Sequence, residues 1–268
     1  GRAKFITQLG DDPFGKKIAG DLERAGIDTS LIGFTDKANT ALAFVSLETD
    51  GNRTFSFYRN PSADMLFSAE QVKAEWFADA YALHFCSVSL GDFPMKEAHR
   101  KAIACARESG AMISFDPNLR FPLWKDKQAL HSTVNEFIPM ADIVKISDEE
   151  LGFITGESEI SAALPKLFAG NVKLVIYTCG AEGAYAFTKT AQAHAASERV
   201  KAIDTTGAGD GFIGSFLYAL KTLGITAESI SDLSSEQLER CIAFSNKFCG
   251  DSVQHEGAID SYKKIAFE

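Results

Sequence analysis

Short apolar runs recur along the chain, and between them lie stretches whose apolar positions return every three or four residues. The runs at residues 4–7, 82–86, 112–115, 143–146 and 174–177 predict strands, and the periodic stretches at 94–108 and 125–137 predict helices. Ser68-Ala69-Glu70-Gln71 has the spacing of a capping box and predicts the start of a further helix. Strands that alternate with helices favour a parallel sheet covered on both faces. The expected class is therefore α/β, a doubly wound, mostly parallel sheet flanked by helices. One stretch breaks the rhythm. Residues 40–48 and 54–59 are both β-rich and flank Asp50-Gly51, a strong hairpin turn signal. Two adjacent strands cannot form a strand–helix–strand crossover, so this hairpin is expected to project as a small lid; an antiparallel edge of the main sheet is the alternative. The expected organisation is a core of residues 1–38 and 62–268 with the lid, residues 39–61, inserted.

Polar residues gather where the apolar runs end. Asp116-Pro117-Asn118-Leu119-Arg120, Ser147-Asp148-Glu149-Glu150 and Thr178-Cys179-Gly180 each follow a predicted strand. In open α/β sheets ligands bind at the carboxyl ends of strands, so three such clusters predict one crevice along that edge.

Composition narrows the choice of ligand. The 268 residues are 46% hydrophobic, ample for a sizeable core, and 27 Lys and Arg against 36 Asp and Glu leave a net charge of −9. An acidic chain is a poor nucleic-acid binder and a poor match for an anionic membrane surface, and no apolar run is long enough to span a bilayer. The five cysteines are scattered and never paired as Cys-x-x-Cys, which predicts a reducing, cytoplasmic setting. Gly10-Asp11-Asp12-Pro13-Phe14-Gly15-Lys16-Lys17 mimics a phosphate-binding Walker loop but has Lys17 where Ser or Thr must hold magnesium. A turn before a helix is the better reading.

The strongest signal is Asp204-Thr205-Thr206-Gly207-Ala208-Gly209-Asp210-Gly211, followed by an apolar helical run. Small residues at a helix start let backbone N–H groups converge on an anion at the positive end of the helix. A carboxylate at Asp210, beside such an anion, makes sense if it takes a proton from an attacking hydroxyl. A tight turn with an acidic cap fits the spacing equally well.

That segment resembles the C-terminal signature of the ribokinase-like (PfkB) carbohydrate kinases. Leu9-Gly10-Asp11-Asp12-Pro13-Phe14-Gly15 is similar to the family's first strand–helix turn, residues 41–59 to its β lid, and Thr178-Cys179-Gly180-Ala181-Glu182-Gly183 to its nucleotide loop. Phe55-Ser56-Phe57-Tyr58-Arg59, Ala63-Asp64-Met65-Leu66 and Asp116-Pro117-Asn118-Leu119-Arg120 look most like bacterial-type fructokinases.

The resemblance implies ATP-dependent phosphorylation of a sugar hydroxyl, with fructose to fructose 6-phosphate as first choice. Other sugars such as 2-keto-3-deoxygluconate or ribose, or a non-catalytic sensor, are the alternatives. It implies Asp210 as the base and the amides of Gly207, Ala208 and Gly209 as the hole for the migrating phosphoryl. ATP would lie along Lys145, Ser147, Thr178, Gly180, Gly183 and Asn246. Arg59, Asp116, Asn118 and Arg120 are implied for the sugar, although Asp116 and Arg120 are alternatively partners of each other. Glu150 would act on Mg²⁺ through water, and oxygens of Asp204, Thr206, Ser252, His255, Gly257 and Ser261 would hold a monovalent cation, K⁺. The sequence departs from the family twice. The family usually carries sugar contacts ahead of the segment matching Gly1, expected here either to precede Gly1 or to be missing from this copy, and Ser147 stands where the family often has Asn. Exposed apolar lid residues such as Phe44 and Phe57 predict a homodimer in which two lids cover each other.

Overall fold

The computed structural model describes residues 1–47 and 53–267. The Asp50-Gly51 turn lies outside the described residues. The chain forms two compact units, Gly1–Lys73 with Ser89–Ala102, and Ala74–Val88 with Ile103–Glu268.

In the first unit, β1 (Thr7–Gly10) pairs in parallel with β2 (Ile32–Thr35), and α1 (Pro13–Arg24) connects them. The strand expected at residues 4–7 thus sits three residues later, because the ladder to β2 begins at Thr7; Lys4 makes only an isolated bridge to Asp28. The Walker-like segment is a turn into a helix. Asp12 caps α1 by accepting from Gly15 N (2.8 Å), and it also accepts from Thr40 N (2.8 Å) and Thr40 Oγ1 (3.0 Å). A side chain on Gly15 would meet the Gly10 carbonyl at 2.2 Å, so that position requires glycine. β3 (Leu42–Leu47) and β4 (Arg53–Tyr58) form a separate antiparallel pair, in register from Leu42–Tyr58 to Leu47–Arg53. The Ser68–Gln71 capping box forms, but it encloses only a single 3₁₀ turn, Ala69–Gln71, after which Val72 turns to extended backbone. The predicted helix there is absent. Val72 is buried on extended backbone, so tertiary packing rather than the local cap decides the conformation here.

The second unit is built on a six-stranded sheet. Its strands are β5 (Ala82–Cys86), β6 (Met112–Asp116), β7 (Ile143–Ser147), β8 (Leu174–Thr178), β9 (Ala184–Phe187) and β10 (Gln192–Ala195). β5 to β8 run parallel, and β9 and β10 continue the sheet antiparallel in sequence order. Helices cover both faces, as the near-continuous apolar parallel strands require. α2 (Met95–Glu108), α3 (Lys127–Phe137), α4 (Asp148–Thr155) and α5 (Ile160–Leu167) fall between the parallel strands, and α6 (Ala208–Thr222) and α7 (Ser235–Ser252) follow the sheet.

In α6 the apolar residues Phe212, Ile213, Phe216, Ala219 and Leu220 follow helical spacing and are buried with Leu238, Cys241 and Ile242 of α7. They pack in one cluster with Met112, Ile143, Leu174 and Ile176 from the strands. Elsewhere Phe85 stacks on Phe115 with ring centres 4.7 Å apart and meets Phe137 of α3 edge-on. Each fully buried large side chain contributes about 1.5–3 kcal/mol, so these packed faces hold the strand ends in place.

Candidate active site

Asp116, Ser147 and Thr178 are the last residues of three neighbouring parallel strands, β6, β7 and β8. Beside them opens a cavity of about 400 Å³. Of the residues expected to bind ligands, it gathers Asp116, Asn118, Arg120, Lys145, Ser147, Glu150, Thr178, Gly180, Gly183, Ala208, Gly209 and Asn246. Leu119, Phe121, Asp148, Glu149, Ser197, Phe212 and Cys249 also line it. Asp148 and Glu149 were legible as part of the polar cluster after β7, whereas Ser197 and Cys249 carry no motif.

The wall of the cavity includes the amino end of α6. Gly207 caps the helix with φ +79°, a left-handed backbone that glycine adopts freely. Tyr262 donates its hydroxyl to the Gly207 carbonyl at 2.6 Å, and a side chain on Gly207 would meet that hydroxyl at 2.7 Å. Helical pairing starts with Gly211 N–H to Gly207 O at 2.7 Å, so the Gly209 and Asp210 amides have no acceptor inside the helix. The Ala208 amide, expected in the anion hole, donates instead to Thr205 O at 3.2 Å. Asp210 is exposed and does not line the cavity, but its charge acts on Asp116, His84, Cys86 and Tyr262.

The floor carries an ion pair. Lys145 Nζ donates to Asp116 Oδ2 at 2.8 Å, and the two side chains are only 6% and 3% exposed. Asp116 therefore pairs with Lys145 rather than with Arg120, whose Nη1 donates to the Leu119 carbonyl at 3.0 Å. Burial pushes the Asp116 carboxyl up from its ordinary value, and the Lys145 ammonium pulls the other way. The other oxygen, Oδ1, accepts from Asn118 N at 3.1 Å and closes a turn in which Asn118 takes φ +45°. Glu150 completes the frame. Its Oε1 accepts from Leu119 N at 2.7 Å and its Oε2 from Ser147 N at 3.0 Å, closing a capping box with Ser147. Serine in the family's asparagine position thus serves as the cap of α4.

On the far side, Gly183 has φ +99°, and a side chain there would stand 2.1 Å from the Ala195 carbonyl. Asn246 Nδ2 donates to that same carbonyl at 2.7 Å, which fixes this wall. Cys249 Sγ donates to Ala208 O at 3.2 Å, and burial pushes its thiol up to about 12, so it is no reactive thiolate.

Two expected groups lie elsewhere. In the loop before α6, Asp204 Oδ1 accepts from Thr206 N (2.9 Å) and Thr206 Oγ1 (2.6 Å), and its Oδ2 accepts from Gly257 N (3.0 Å). Ser252 and Ser261 are buried nearby in sequence, donating to Cys249 O (3.0 Å) and Ala258 O (2.7 Å), and His255 N donates to Ser252 O (3.1 Å). Arg59 belongs to the first unit, where it pairs with Asp64 at 2.5 Å and lies over the Phe93 ring. Among the described residues no three His, Cys, Asp or Glu side chains are grouped to hold a metal ion.

This arrangement sets a helix mouth and an ammonium beside a polar loop around one cavity, which suits an anionic group. The chain belongs to the pfkB family carbohydrate kinases, whose profile matches residues 1–265. It is 40% identical over 260 residues to probable fructokinase-2 of Arabidopsis thaliana, covering 97% of this chain and 78% of that one. Fructokinase-1 of Zea mays is 39% identical over 267 residues, covering 99% and 79%. Among solved structures, fructokinase with bound ATP from Xylella fastidiosa superposes with a TM-score of 0.91 at 33% identity, covering 97% of this chain and 81% of that one. Fructokinase from Vibrio cholerae O395 in its fructose-, ADP- and calcium-bound form gives 0.86 at 33% identity, covering 97% and 82%. Among the described residues no helix is long and apolar enough to cross a membrane.

Proposed function

We propose that this carbohydrate kinase transfers the γ-phosphoryl group of ATP to a hydroxyl of fructose, giving fructose 6-phosphate and ADP. The observation that carries the reading is a cavity that gathers the amino end of α6, Lys145 and the loop Asp116–Arg120, in a chain similar along 97% of its length to a fructokinase solved with ATP. The relative solved with fructose and ADP supports the choice of acceptor.

In this reading ATP lies along Ser147, Thr178, Gly180, Gly183 and Asn246, with its terminal phosphate at Gly209 and Lys145. Asn118 and Arg120 hold the sugar. Asp210 takes the proton of the attacking hydroxyl as its oxygen bonds to the γ-phosphorus. The bond from that phosphorus to the bridging oxygen breaks, and the electron pair leaves with ADP. Charge on the migrating group falls on the Gly209 amide, the dipole of α6 and the ammonium, which are already in place and cost little reorganisation. The Ala208 amide joins them by releasing the Thr205 carbonyl.

The residues also suit two cations. Mg²⁺ keeps most of its waters and takes one or two carboxylates beside substrate phosphates, and Glu150, with Asp148 and Glu149 on the same wall, offers that donor set. When bound it supplies neutralisation of phosphate charge. The hard oxygens of Asp204, Thr206, Ser252, His255, Gly257 and Ser261 suit K⁺. The β3–β4 hairpin serves as a lid. Its Phe44 and Tyr58 are 54% and 66% exposed, with rings 5.3 Å apart, an apolar pair that a second lid covers in a homodimer. All five cysteines are free, in keeping with work in the cytoplasm.

The test is ADP release with fructose, ribose and 2-keto-3-deoxygluconate. The highest kcat/KM is expected for fructose; saturable ATP binding with transfer to none of them would leave a sensor instead.

A further inference from the structure

We infer that Asp116 is a positioning residue for the transfer step: one of its oxygens holds the Lys145 ammonium at the mouth of α6, and the other holds the turn that presents Asn118 and Arg120. The inference rests on the phosphoryl transfer proposed above.

Lys145 and Asp116 come from adjacent parallel strands, and their side chains meet at 2.8 Å almost out of reach of solvent. A methyl group at Gly209 would stand 3.5 Å from Lys145 Nζ, so the ammonium lies against the first turn of α6, where an anion is drawn. An ammonium has three donors. With one spent on Asp116, two remain for phosphate oxygens. The order carboxylate, ammonium, phosphate separates the two anions.

The second oxygen works at the other end. Asp116 Oδ1 accepts from Asn118 N at 3.1 Å and steadies the left-handed backbone of Asn118, while Glu150 anchors Leu119 N at 2.7 Å. A side chain that is 3% exposed has little surface left for a sugar hydroxyl. One carboxylate thus ties the phosphate end of the cavity to the acceptor loop.

Asparagine separates the two roles. Asp116→Asn keeps an oxygen for the Asn118 amide but removes the charge opposite Lys145, whereas Asp116→Ala removes both. With the full chain, D116N is expected to lower kcat about 10²-fold while the KM for fructose stays within about 3-fold. D116A is expected to add a rise of about 10-fold in the fructose KM through loosening of the turn. Because Asp116 acts through Lys145, D116N/K145M should be no slower than K145M within about 3-fold. A D116N effect confined to the fructose KM, or losses that multiply in the double variant, would overturn the inference. If D116N alone does not fold, folding of the uncharged pair D116N/K145M with the rate of K145M supports it. Failure of both to fold overturns it, because the pair then serves the scaffold and not the reaction. Wild-type protein that transfers phosphate to no sugar removes the reaction itself. Wild-type transfer with multiplicative losses removes only the role given to Asp116.

Discussion

Replacing Glu150 with Gln tests how the acceptor loop is held. Glu150 is buried and gives one oxygen to Leu119 N at 2.7 Å and the other to Ser147 N at 3.0 Å. Glutamine keeps one oxygen and sets an NH₂ group against the remaining N–H. An orphaned buried amide costs about 1–3 kcal/mol, and the surviving bond loses its charge assistance. The amino end of α4 also loses a negative partner worth about 0.3–1 kcal/mol. The sum is about 2–4 kcal/mol, since these contributions overlap. Urea denaturation followed by circular dichroism reads this directly, and the fructose KM should rise as the Asp116–Arg120 loop loosens. A stability loss below about 0.5 kcal/mol would refute the reasoning. So would a change confined to the magnesium concentration needed for half-maximal rate, which would leave Glu150 with a metal-bound water as its sole business.

Other outcomes follow from the same geometry. Asp210→Ala should lower turnover by about 10²–10⁴ with the ATP dissociation constant little changed, measured by steady-state kinetics and calorimetry. Gly183→Ala forces φ +99° on a residue with a side chain 2.1 Å from the Ala195 carbonyl, so ATP affinity in calorimetry should fall by at least about 10-fold through distortion of that wall. Asp12→Ala removes the α1 cap and the tie to Thr40, and denaturation should show a loss of about 1–2 kcal/mol. The N–H groups of Thr40 and Gly15 hold the Asp12 carboxyl below its ordinary 3.8, so its stabilisation is full above that value and fades as the pH falls through the lower folded one. The difference between wild type and the Ala variant should therefore shrink in acid; a constant difference down to strongly acid pH would contradict this.

Strands β6, β7 and β8 were legible because each is an apolar run that is almost wholly buried, whereas β2, half-exposed around Gly33, went unread. The real strands reach one residue further, to Asp116, Ser147 and Thr178, since a polar residue still joins the ladder at a strand end, as Asp116 does opposite Cys86 and Ser147 opposite Thr178. Strands β9 and β10, Ala-Tyr-Ala-Phe and Gln-Ala-His-Ala, went unread because they are short and alanine-rich, with little strand propensity to mark them. The helix expected after Ser68 failed for the opposite reason, a clear local signal overridden by tertiary packing that buries Val72 on extended backbone.

Local chemistry written in the chain determined the polar strand ends and the helix mouth at Gly207–Asp210, because glycine conformations, caps and apolar periods act over a few residues. The pairing of Lys145 with Asp116, 29 residues away, the hold of Glu150 on Leu119 and the closeness of Asn246 to Ala195 were decided by the tertiary structure alone. A charge or an amide finds its partner by position in space, and only the packed sheet and helices set those positions.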